Sequence, residues 1–134
     1  MKRTTTLMTL AAPLLGAILL NSCTLMAVSG AAVLITEEFR DNAVSTVVPL
    51  EPAIAWTGVL ASLSEQTDKL IHRDDAHHTA RTEIDGGEVV VHVEQFDQGQ
   101  TRILVEAKKY VAMVHSQELS LLTLERIERD LMDR

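Results

Sequence analysis

Three sets of side chains in this sequence have chemistry to offer: the lone cysteine, Cys23; five histidines, His72, His77, His78, His92 and His115; and the hydroxyls of Ser62, Ser64, Ser116 and Ser120. A cysteine acts as a nucleophile or ligand through its thiolate. One cysteine alone builds neither an internal disulfide nor a Cys-based zinc site. Imidazoles bind metals as neutral ligands, and Asp74 and Asp75 stand among His72, His77 and His78. Those three histidines are the weak metal candidates of the chain. His77 and His78 are read as part of a strand, where neighbours point to opposite faces, so one site takes only one of them. Solvated side chains around a turn are the plainer reading. Hydrolytic chemistry needs a nucleophile, a base and an orienting group. The serines stand in no recognisable elbow, so no catalytic residue and no cofactor is assigned, and a non-enzymatic role is expected. Lys108-Lys109-Tyr110 offers two cations and an amphipathic ring to anionic lipid or a partner, with a solvated strand end as the plainer reading.

The position of Cys23 carries the most information. Lys2 and Arg3 make a short positive start, and Leu7 to Leu20 is an apolar run of secretory-signal length. Leu20-Asn21-Ser22-Cys23 follows and resembles a bacterial lipobox: leucine three before the cysteine, a small residue directly before it. The resemblance implies that the Cys23 thiol takes a diacylglyceryl group, that cleavage falls between Ser22 and Cys23, and that the new amino group is acylated. It also implies, from Thr24 in place of Asp, sorting to the periplasmic leaflet of the outer membrane. Cleavage removes Lys2 and Arg3, so the 12 basic residues become 10 against 19 acidic, a net of −9. More than one acyl chain at a terminus anchors a protein stably without a helix. The competing reading is an uncleaved signal anchor. Residues 25–35, "LMAVSGAAVLI", are apolar again and, joined to the first run, are long enough to span a bilayer.

Composition narrows the partners. The net charge of −7 opposes binding to a phosphate backbone. One Trp, one Tyr and two Phe make no stacking platform for single strands. Nucleic acid is therefore not expected; the lipid bilayer, reached through acylated Cys23, is, and so is an envelope protein partner. At 134 residues the chain has room for one ordinary core.

The elements that must position these residues begin after the charged "TEEFRDN". The expected division is 1–22 signal peptide, 23–42 lipidated tether and 43–134 a single α+β domain. "AVSTVVPL" reads as a strand ending at Pro49. "EPAIAWTGVLASLSEQ" reads as a helix, with Pro52 in its first turn and Trp56, Val59, Leu60 and Leu63 on one face. Gly58 inside it costs about 1 kcal/mol against alanine and suggests close packing on a sheet; Trp56 reads as a core anchor. "KLIHR" is a short strand stopped by Asp74-Asp75. "HHTARTEI" and "EVVVHVEQF" are strands around Asp85-Gly86-Gly87, and "TRILVEAKKYV" is the last strand. "SQELSLLTLERIERDLMDR" is a terminal helix capped by Ser116, with Leu121, Leu124, Ile127 and Leu131 as its stripe.

Period-two alternation then fixes the pairing. Val89, Val91 and Val93 share a face. A two-residue primed turn, Asp85-Gly86 or Gly86-Gly87, sets Ala80, Thr82 and Ile84 on that same face. A three-residue loop Asp97-Gln98-Gly99 pairs Ile103, Val105 and Ala107 with Val93, Val91 and Val89, with Gly99 left-handed. The fold class is α+β: an antiparallel sheet of about five strands in the order strand-helix-strand-strand-strand-strand-helix, with both helices on one face. The other face, Thr79, Arg81, Glu83, Val90, His92, Glu94, Leu104, Glu106 and Lys108, is expected to meet solvent.

"SGAAVLI", "AWTGVLASL", Ala80 with Asp85-Gly86, and "TRILVEA", together with Leu20 to Cys23, resemble a family of small bacterial lipoproteins of uncharacterised function. The resemblance implies a lipobox, an apolar Gly/Ala-rich stretch and one compact α+β domain, and brings no catalytic residues. Members follow the last strand with a glycine-containing loop; "KKYVAMVHS" has none. The expected function is a lipid-anchored cell-envelope lipoprotein with a binding or structural role. The alternative is a periplasmic metal-binding protein held by an uncleaved signal anchor.

Overall fold

The computed structural model describes residues 35–111 and 113–134. The signal segment, Cys23 and most of the expected tether lie outside them. The elements are α1 (Glu37–Asn42), β1 (Val44–Val48), α2 (Pro52–Gln66), β2 (His72–Asp74), β3 (Thr79–Ile84), β4 (Gly87–Asp97), β5 (Gln100–Lys109), β6 (Val114–His115) and α3 (Gln117–Met132). The strands form one antiparallel sheet in the order β1-β5-β4-β3-β2, with β6 also paired to β5. The chain thus crosses from one sheet edge to the other along α2 and returns by hairpins.

Alternation sets the buried face. Val89, Val91 and Val93 are fully or almost fully buried, as are Ile103, Val105 and Ala107. Their partners are the expected ones: Val93 opposite Ile103, Val91 opposite Val105, Val89 opposite Ala107. The first hairpin turns on Asp85-Gly86, both at positive φ (48° and 75°), the type I′ geometry that matches strand twist. The second turns on Gln98-Gly99, with Gly99 at φ 68° and a register shift between Gln95 and Asp97. The odd residue expected in the loop is taken up in the strand, which leaves the pairing beyond it unchanged.

Both long helices cover this face. Trp56, Val59 and Leu63 of α2 are buried, and Leu60 packs at the margin. Gly58 faces α3, not the sheet as expected: a Cβ there would run into Leu131 Cδ2. On α3 the inward stripe is Leu124, Ile127 and Leu131, but Leu121 is 43% exposed. Leu119, Ser120 and Thr123 are buried instead. The reason lies in the strand edge. Beyond Val105 β1 has ended, and β6 pairs only from Lys108. Ser120 Oγ fills the gap by accepting from Ala107 N at 2.9 Å and donating to Ser116 O at 2.9 Å, while Ser116 N donates to Ala107 O at 2.7 Å. A polar side chain must therefore face inward here, which rotates Leu121 out. Ser116 caps α3 as expected, accepting from Leu119 N at 3.3 Å.

The opposite sheet face departs from expectation. Thr79, Leu104 and Glu106 are buried there. Residues 37–42, read as the end of a tether, form α1 against β5 on this side, with Phe39 only 4% exposed. Thr36 caps the helix by accepting from Phe39 N at 3.1 Å. Arg40 forks onto Glu94 at 2.8 and 3.2 Å, and Glu38 meets Lys108 at 3.8 Å and His115 at 3.5 Å. One phenylalanine in a charged hexapeptide shows no periodicity, so this helix is invisible to pattern reading.

Candidate functional site

The region between β2 and β3 was expected to hold the candidate ligands. β2 begins at His72, three residues later than read, and Asp74 is its last residue. Asp74 then organises the turn: Oδ1 accepts from Ala76 N at 3.0 Å and His77 N at 3.2 Å. Its Oδ2 lies 2.7 Å from His77 Nδ1, a contact that holds the carboxyl below the usual carboxylate range. His77 and His78 are thus turn residues and not alternating strand residues as expected; His78 is left-handed at φ 49°. The reason is that an Asx turn lets β3 begin only at Thr79.

His78 stacks on Trp56, with ring centroids 5.4 Å apart and planes inclined by 26°. Trp56 Nε1 donates to Asp75 Oδ1 at 3.0 Å. Asp75 Oδ2 accepts from Arg73 Nε at 3.2 Å and Nη2 at 2.9 Å. Arg73 first, then the indole N–H, keeps the Asp75 carboxyl low. These four side chains, with Ala53, Thr57 and Leu60 of α2, line an open groove of about 470 Å³. Trp56 is therefore both a core anchor and one wall of a groove, because a buried indole needs a partner for its N–H. Stacked rings with an arginine and a carboxylate at the rim suit binding of a flat or hydrogen-bonding group. Both oxygens of Asp75 are engaged, one by the indole N–H and the other by the guanidinium.

The remaining candidates are scattered. His72 lines a separate cleft of about 420 Å³ with Arg81, Glu83 and Tyr110. Among the described residues no group of three or more His, Cys, Asp or Glu side chains stands in metal-holding geometry. Ser62 Oγ donates to Asp130 Oδ2 at 2.6 Å and Ser64 Oγ to Ala61 O at 2.7 Å; Ser116 and Ser120 serve the α3 cap and the sheet edge. Each hydroxyl is engaged in holding the fold. No helix among the described residues is long and apolar enough to cross a membrane.

No family model matches this chain. No curated protein is similar to it in sequence either.

A second polar cluster, on the sheet face under α1, was missed. His92 Nε2 lies 3.3 Å from Glu94 Oε2, and Arg102 joins at 3.7 Å. Arg40 holds Glu94 below the usual carboxylate range, while burial pushes His92 below the usual histidine value. Nearby, His115 Nδ1 lies 2.9 Å from Glu106 Oε1, a close polar contact without hydrogen-bond alignment. The period-two pattern placed these residues on one face, but only α1 makes that face partly dry.

The cluster predicts acid sensitivity. His92 has a lowered pKa in the fold, so below about pH 6.5 the unfolded chain takes a proton that the folded chain refuses. The groups facing His92 are Glu94, which opposes the shift, Arg40, which adds to it, and the backbone of His78. Stability should therefore fall from neutral pH toward about pH 5. Glu94 acts lower: its stabilisation persists above about pH 4 and fades as pH drops through its depressed pKa. In urea melts at several pH values, His92→Gln should flatten the slope between about pH 7 and 5. An unchanged slope would remove His92 as its source.

Proposed function

We propose that this chain is a cell-envelope lipoprotein, anchored by acylated Cys23 in the periplasmic leaflet of the outer membrane, whose α+β domain has a non-enzymatic binding or structural role. The observation that carries the reading is Leu20-Asn21-Ser22-Cys23 directly behind an apolar run with a basic start. Its resemblance to the small lipoproteins of uncharacterised function extends the reading to the rest of the chain. The Trp56 groove supports a binding role: an aromatic pair at an open surface, framed by one cation and one anion. An envelope protein segment or a small planar ligand fits those walls. Acylation needs the thiolate as nucleophile, so Cys23→Ser should abolish metabolic labelling with palmitate and leave unprocessed precursor. Retained labelling in that variant would dismiss the reading.

A further inference from the structure

The end of the sheet where β5 passes into β6 exposes apolar side chains together. Val111 is 86% exposed, Leu70 73%, Val114 57%, Met113 52% and Tyr110 47%. Tyr110 and Leu70 line one cleft, and Val111, Met113 and Val114 follow Tyr110 in the chain. Single exposed apolar residues need no explanation, but a cluster does. The turn also carries one of the three left-handed non-glycine residues among those described. Met113 sits at φ 48°, a left-handed position that turn chemistry normally gives to glycine or asparagine. A side chain there is disfavoured, so the chain keeps a long apolar group in solvent against a conformational penalty. Lys69 and Lys109 flank the cluster, and neither forms an ion pair among the described residues, while Glu83 and Glu88 line the cleft beside Tyr110. Exposed aliphatic tips, a tyrosine and lysines with long stems are the chemistry of a bilayer interface.

The described chain begins at this end. Glu38, in the first turn of α1, contacts Lys108 and His115, the residues that bracket the exposed turn. The polypeptide coming from Cys23 therefore enters the domain at this end. Thr36, the cap of α1, is 13 residues from Cys23, a reach of at most roughly 45 Å fully extended. The apolar groove between Ile54 and Leu131 lies at the far end of both long helices, where nothing indicates an occupant.

We infer that Leu70, Tyr110, Val111, Met113 and Val114 form a membrane-contacting edge that dips into the headgroup region of the bilayer holding the lipid anchor. The inference rests on the anchoring reading above. Its test uses the mature full-length chain, purified from cells and reconstituted into vesicles of phosphatidylethanolamine and phosphatidylglycerol, after intact mass has established the lipid on Cys23. The thioether leaves no free thiol at Cys23, so Val111→Cys and Gln98→Cys each carry one environment-sensitive dye, Gln98 being in the exposed turn at the opposite end of the sheet. At residue 111 the emission should shift to the blue and be quenched by lipids with a spin label near the headgroup; at residue 98 both should match water. Equal, water-like emission at both positions with the lipid present would overturn the membrane edge and leave the anchor standing. A blue shift at residue 111 that follows protein concentration and ignores the spin-labelled lipid would overturn it in favour of a second copy of the chain. Absence of lipid mass at Cys23 would overturn the anchoring reading and the edge together.

Discussion

Val91→Asp should unfold the domain or cost it several kcal/mol, while Val90→Asp should cost about 1 kcal/mol. Val91 has no exposed surface and lies in the core shared by the sheet and the two long helices. A carboxylate there has neither water nor a cation, and must be desolvated or take up a proton. Small domains hold only about 5–15 kcal/mol in total. Val90 lies on the other face, half-buried, between Arg81 on β3 and Glu106 on β5. An aspartate there meets one cation and one anion and loses mainly strand propensity. Urea melts followed by circular dichroism compare the two variants directly. Equal losses would mean that both faces are equally dry, and a larger loss at Val90 would mean that the faces are exchanged.

Phe39→Ala should cost about 3 kcal/mol, the lower end for truncating a buried phenylalanine. The side chain is 4% exposed although α1 has only 6 residues. So short a helix does not persist alone, and its packing face has to hold it. The surrounding ion pairs are exposed and contribute little each. The loss should appear in melts and also as faster amide exchange at Arg40, whose N–H is bonded to Thr36 O. A melt indistinguishable from the parent chain's would mean that residues 37–42 are a tether after all.

Where a repeating signal exists, the fold was legible. Alternating valines in 89–93 and the glycines at 86 and 99 determine two hairpins and one buried face, and the strand pairs follow residue by residue. The two long helices follow from their apolar periods and, at Ser116, from a capping hydroxyl. Features that depend on a single contact were not legible. Phe39 is one aromatic residue in a polar run. Ser120 faces inward only because β1 stops before Ala107, a fact of topology that local sequence does not carry. Gly58 announces a close approach without saying to what; the answer, Leu131, is 73 residues away. The candidate site was legible in composition and not in arrangement. His77 and His78 stand out as a pair in the sequence, yet Asp74 turns the chain so that one meets a carboxylate and the other an indole. The Trp56–Asp75 bond joins residues on either side of the helix–strand connection, and only the packing of α2 on the sheet brings them together.

The measurement closest to the central claim is the intact mass of the chain extracted from the membrane fraction of cells that make it. The account predicts a polypeptide that begins at Cys23, lacks residues 1–22, and carries a diacylglyceryl group plus one further acyl chain on its amino terminus. A chain that retains Lys2 and Arg3 with an unmodified Cys23 would contradict it.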